Sequence, residues 1–219
     1  MLRFSTRAVL FAMLGFSMSS QADTLGPLDG RSPDPRQMSE MSIEVGYVSE
    51  GDFSSLSARL NYQYTPLVTF YGDFGLVDLG DSADGNAFGI GARYYLDNQR
   101  IMPEVDLAVG ASYHMSTVEL GSFAGAESDL SELTLAVHFG GKEAFYSNGL
   151  KWYGVVSYNR LAFETRFGGQ TSDDNDSEIG LGGGVYMPLG PGEVYVGVEN
   201  IDDMYFGVGY RHFLGGASY

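Results

Sequence analysis

Leu56-Ser57-Ala58-Arg59-Leu60-Asn61-Tyr62-Gln63-Tyr64 decides the fold. Its even positions are apolar or aromatic, and Ser57, Arg59, Asn61 and Gln63 between them are polar. A β-strand sends successive side chains to opposite faces, so this segment has one oily face and one wet face. The pattern recurs between turn signals from Met41 to Phe213. Many such strands in antiparallel succession predict an all-β transmembrane antiparallel up-and-down barrel.

Ten strands are expected, at 41–49, 55–64, 67–77, 86–96, 104–115, 130–140, 150–166, 178–188, 192–199 and 203–213, with eight as the alternative count. An even number returns both termini to one side. In the seventh strand Trp152, Gly154, Val156 and Tyr158 lie on even numbers, whereas Leu161, Phe163 and Phe167 lie on odd ones. This slip predicts a bulge near Asn159-Arg160.

Ahead of the barrel, Met1 to Ala22 has Arg3 and Arg7, an apolar stretch from Ala8 to Phe16 and the small-residue ending Ser20-Gln21-Ala22. It reads as a cleavable signal peptide, with an apolar core about half the ~20 residues a spanning helix needs. Residues 23–40 read as a periplasmic leader, 41–213 as the barrel and 214–219 as a tail. Removing residues 1–22 takes out two Arg and no acid, so the formal charge goes from −16 to −18. That balance excludes nucleic-acid binding through a basic patch. With no Cys, a disulfide framework is excluded, and closure of the barrel must supply stability.

Connections alternate in character. Segments 50–54, 78–85, 116–129, 167–177 and 200–202 are rich in carboxylates and hold no Lys or Arg, while 97–103 and 141–149 hold Arg100 and Lys142. Alternate connections share a rim, so one rim is acidic; with the N-terminus periplasmic, it faces outside. Tyr62, Tyr64, Tyr94, Tyr95, Phe139, Trp152 and Tyr210 are expected in a lower aromatic girdle, and Tyr47, Phe74, Phe88, Tyr113 and Phe206 towards the outer ends.

The signal peptide, the short strands rich in Gly and aromatics, and the ending Met204-Tyr205-Phe206-Gly207-Val208-Gly209-Tyr210-Arg211-His212-Phe213 resemble the small Gram-negative outer-membrane β-barrel proteins, the opacity-like and OmpX-like group. The resemblance implies outer-membrane location and a last strand read by the barrel-assembly machinery. Gly207 and Tyr210 fit that group's terminal pattern, while His212 stands where the final aromatic belongs and Phe213 follows one position late.

Read in phase, the lumen receives Arg59, Arg93, Lys151 and Arg211; Glu44, Asp73, Glu104, Asp106, Glu132, Glu178 and Glu199; and His114 and His138. A Lys or Arg facing lipid at the midplane costs about 2–4 kcal/mol, so these charges must meet one another or water. Arg59, Arg93 and Arg211 are expected against Glu44, Asp73 or Glu199, through the bidentate pairing that guanidinium favours. Gly89, Gly91, Gly180, Gly182, Gly184, Gly197, Gly207 and Gly209 leave room for Tyr71, Tyr153, Tyr186 and Tyr195 or for water.

Three further features suggest chemistry. If Thr117 faces Asp129, then His114 faces Glu132, with Ser112 and Ser116 on the same face: the residue types of a rim hydrolase. Omptin proteases share the strand count, but this chain is read as lacking their long outer strands and their catalytic residues. His138 is expected near Asp106 or Ala108, and His212 at the lower interface; three scattered His and no Cys predict no transition-metal site and no cofactor. Asp173, Asp174 and Asp176 suggest an acidic outer loop with weak divalent-cation binding. The sequence therefore predicts a non-enzymatic, monomeric outer-membrane barrel with a mostly closed lumen and a structural or surface-contact role, in contact with membrane lipid and lipopolysaccharide. A narrow channel or small-ligand carrier is the alternative.

Overall fold

The computed structural model describes residues 40–78, 83–96, 103–120, 127–145, 149–167, 170–201 and 203–215. The signal peptide, nearly all of the leader, most of the tail and the Asp173 side chain lie outside the described parts. Ten strands follow one another: β1 Met41–Glu50, β2 Phe53–Thr65, β3 Val68–Asp78, β4 Ala83–Leu96, β5 Val105–Leu120, β6 Glu127–Gly141, β7 Lys151–Phe167, β8 Gln170–Leu189, β9 Gly192–Asn200 and β10 Met204–Leu214. Each pairs antiparallel with the next, and β1 pairs with β10, so the sheet closes with no edge around its waist. Gly51 and Gly190 turn the chain at opposite rims with φ of 50° and 57°, a backbone region where a Cβ is unfavourable.

Register fixes the barrel's shape. Following cross-strand partners from Asp176 of β8 through β7, β6 and onward once around the wall leads back to β8 at Pro188, a stagger of 12 residues. Ten strands with that stagger tilt by ~40° and close at a radius of ~10 Å. At this width inward side chains from opposite walls meet.

The two faces of the wall follow the expected alternation. Outward positions such as Ile43, Val45, Leu60, Phe74, Ile90, Val109, Leu135, Val156, Leu181 and Val208 are large, apolar and exposed, a wall with no protein to cover it. Tyr62, Tyr64, Tyr94, Tyr47, Phe88, Tyr113 and Phe206 face outward with them, as a girdle requires. Tyr95 does not join them; it points into the lumen and is 1% exposed. Tyr94 already takes the outward position, and the period of two turns its neighbour inward.

The strands β5 to β8 correct the sequence reading. They run on through much of 116–129 and 167–177, which were expected as loops, so these outer strands are long. Nor is there a bulge near Asn159-Arg160: β7 stays in register with both neighbours, and Leu161 and Phe163 face inward. A register shift is instead present between Gln63 and Thr65, beside the β2–β3 turn. The apparent slip has a physical cause. Above the apolar belt the outward positions Arg160 and Glu164 meet water, while Leu161 and Phe163 find an apolar interior, so the pattern inverts without any change of phase.

Candidate functional site

The lumen charges form a ramp. Glu193, Arg211, Glu44, Arg59 and Asp73 are successive cross-strand partners on β9, β10, β1, β2 and β3, so negative and positive side chains alternate along one row. Arg211 Nε donates to Glu44 Oε2 at 3.2 Å, and its Nη1 lies 2.8 Å from Glu193 Oε1. Arg59 holds Asp73 through two bonds, Nε to Oδ1 at 2.5 Å and Nη2 to Oδ2 at 2.8 Å, and its guanidinium lies 4.3 Å from the centre of the Tyr71 ring. Arg211, Glu44, Arg59 and Asp73 are buried, and Glu193 is partly so.

The row continues as Gly89 on β4, His114 on β5 and Glu132 on β6. The sequence reading placed His114 opposite Glu132, and the register agrees. The imidazole, however, turns the other way. His114 Nε2 lies 2.9 Å from Asp73 Oδ2, and Glu132 Oε1 accepts from Thr134 Oγ1 at 2.7 Å. Gly89 makes this reach available, because a Cβ there would fall inside the His114 ring. His114, Asp73 and Arg59 thus form one cluster across four strands, and neither Ser112 nor Ser116 is hydrogen-bonded to the imidazole. A nucleophile–base pair is not assembled.

Other inward glycines work as seats. A Cβ on Gly91 would strike Tyr71, one on Gly197 or Gly184 would strike Tyr153, and one on Gly209 would strike Tyr195. These tyrosines and Tyr186 are buried, so aromatic rings occupy the space that glycine leaves. Filling of this kind combines ring burial with polar tips that suit a wet interior.

Near the rim that carries the termini, Asp106 is buried, accepts a hydrogen bond from Tyr95 Oη at 3.2 Å and lies 3.6 Å from Lys142 Nζ. His138 is buried opposite Ala108, where it was expected. Arg93 is buried, Lys151, Glu178 and Glu199 are partly so, and Glu104 sits exposed in the turn before β5 rather than in the lumen. One residue short of the strand, Glu104 is free of the pleat that would turn it inward. Glu193 and Lys142 were missing from the predicted network. Glu193 has an inward phase on β9 that was readable; Lys142 follows the end of β6 and has no strand phase to read.

At the opposite rim the lumen changes character. Val48, Phe53, Val77, Ala87, Leu130, Leu161, Phe163 and Tyr205 belong to one buried cluster, with Phe53 and Tyr205 edge to face at 6.0 Å. With the buried Ser55, Ser116 and Ser128 between them on the same face, these mainly apolar side chains lie above the charge ramp on that side. Beside them, Asp174 and Asp176 lie on β8, not in a loop; they are the register partners of Phe163 and Leu161, and both acids are exposed. Asp173 belongs to the same strand. Among the described residues no group of three or more His, Asp or Glu is placed to hold a metal ion.

No protein-family profile and no curated protein matches the chain. Solved structures similar in architecture include the attachment invasion locus protein Ail of Yersinia pestis, with 15% identity over 80% of this chain and 99% of that one and a TM-score of 0.41. The N-terminal barrel domain of OprF from Pseudomonas aeruginosa is similar at 11% identity over 80% and 98%, with a TM-score of 0.37. The KdgM porin is similar at 10% identity over 79% and 99%, with a TM-score of 0.42. These likenesses extend to the barrel alone. Closed sheet, exposed apolar wall, outward aromatics and charged interior together identify the fold as a ten-stranded antiparallel β-barrel of the membrane-spanning kind.

Proposed function

We propose that the protein is a non-enzymatic, non-conducting barrel that anchors a surface-contact structure, with the rim opposite the termini facing the cell exterior. What supports this reading is the lumen: paired charges and seated tyrosines project into it, and buried apolar side chains lie between them and the far rim. An open pore lined by charge needs a continuous water path, and each of these features obstructs one. What stands clear of the membrane is the upper part of β5 to β8, where outward side chains turn polar at Thr117, Asp129, Arg160 and Asn175. Thr117 Oγ1 donates to Asp129 Oδ1 at 2.9 Å across two of these strands, stiffening the projection outside the belt.

The chain contains no Cys, so single-cysteine labelling tests orientation without background. On intact cells a membrane-impermeant maleimide should label Asp176→Cys and leave Phe145→Cys, at the rim of the termini, unlabelled. Both residues are exposed, so the contrast reports sidedness alone. Labelling of Phe145→Cys but not Asp176→Cys would invert the barrel and remove the surface-contact role.

A further inference from the structure

β8 outlasts the strand beside it. Its pairing with β7 continues to Phe167↔Gln170, whereas its pairing with β9 begins only at Leu181↔Asn200. From Gln170 to Gly180, ~33 Å of chain at ~3.3 Å per residue, no strand lies on the β9 side among the described residues. β9 ends at Asn200 and β10 starts at Met204, so the wall next to this stretch is low and the edge is open from the side. A long unpaired edge is a template for another strand.

Two of its amides are held in an unusual way. Asn175 N–H donates to Asp174 Oδ1 at 2.8 Å, and Ser177 N–H donates to Asp176 Oδ1 at 2.7 Å. Amides two residues apart point to the same side of a strand, and these two are taken by side chains rather than by β7. The four residues are exposed. Asp173, Asp174, Asp176 and Glu178 put four acids on Gln170–Gly180, with no Lys or Arg. Two copies meeting edge to edge would oppose carboxylate with carboxylate, which disfavours self-pairing.

We propose that this edge docks an extended basic segment of a partner protein by strand addition, with Asp174 and Asp176 as its gate. Lys or Arg side chains at alternate positions of the incoming segment draw the two carboxylates aside, and its carbonyls accept from the freed Asn175 and Ser177 amides. Main-chain bonds then supply affinity, and the spacing of the cations supplies selectivity. An acidic or neutral strand gains nothing by displacing the carboxylates.

The inference rests on the surface-contact reading for the exposure of β8, which the Asp176→Cys labelling checks separately. The test uses the full barrel in phosphatidylcholine vesicles and a fluorescent ten-residue peptide of alternating Thr and Lys. A control peptide with Pro in place of each Thr keeps the charge but loses backbone donors. Anisotropy should show binding of the first peptide, weaker by about tenfold or more for the Pro control and for Asp174→Asn/Asp176→Asn, which retains the caps but loses the charge. Hydrogen exchange at Asn175 and Ser177 should slow in the complex. Equal binding of both peptides with unchanged exchange, or no binding to a barrel whose residue 176 is labelled on cells, would overturn the docking site and leave the orientation intact.

Discussion

The two ends of the lumen solve the same packing problem with opposite chemistry. Towards the rim of the termini charges are buried, and Arg211 is met by its cross-strand partners Glu44 and Glu193. Towards the far rim, Phe53, Leu130, Leu161 and Phe163 bury apolar surface instead. Buried charge demands specific partners and so depends on register, whereas the apolar layer depends on volume and tolerates exchange of shape.

Arg211→Ala should therefore have the largest effect. It leaves Glu44 and Glu193 facing each other across an empty place, and urea unfolding in lipid vesicles should show a loss of about 3–5 kcal/mol. Leu161→Ala probes the other end, with an expected loss of about 2–4 kcal/mol and no new unpaired charge. It also decides the phase of β7. If Leu161 faced lipid, Ala there would cost far less, whereas Arg160→Leu, on the outward face, should change stability by no more than about 0.5 kcal/mol.

The outer wall was legible in the sequence because lipid imposes one rule on every outward residue: the period of two in Leu56–Tyr64 is the fold. The inward phase was equally readable in the sequence, and Glu44, Arg59, Asp73, His114 and Arg211 are buried on the inner face of the wall. Partner choice was not. His114 and Glu132 are register neighbours, but Gly89 removes the side chain that would separate His114 from Asp73, and such a gap appears only when three strands are laid side by side. The Leu161 and Phe163 phase was misread because the membrane rule was applied above the membrane, where it no longer holds. The same height error turned the strand carrying Asp174 and Asp176 into a loop.

Gly89→Val sharpens the contrast between partner-dependent and volume-dependent packing. The added side chain should push His114 off Asp73 and cost about 1–3 kcal/mol. Combining it with His114→Ala should restore part of that loss, because the clash then has no ring to meet. Equal losses in the single and double variants would mean that Gly89 serves the backbone and not the histidine. A smaller effect is expected outside the belt, where Thr117→Ala removes one exposed bond to Asp129 and should cost about 0.5–1 kcal/mol.

If paired charges close the lumen, single-channel recording in a planar bilayer will show it. The wild-type barrel should show no steady conductance, while Arg59→Ala/Arg211→Ala, which opens space and removes the arginine partners of Asp73, Glu44 and Glu193, should conduct and favour cations. Steady, large conductance from the wild-type protein would contradict the claim.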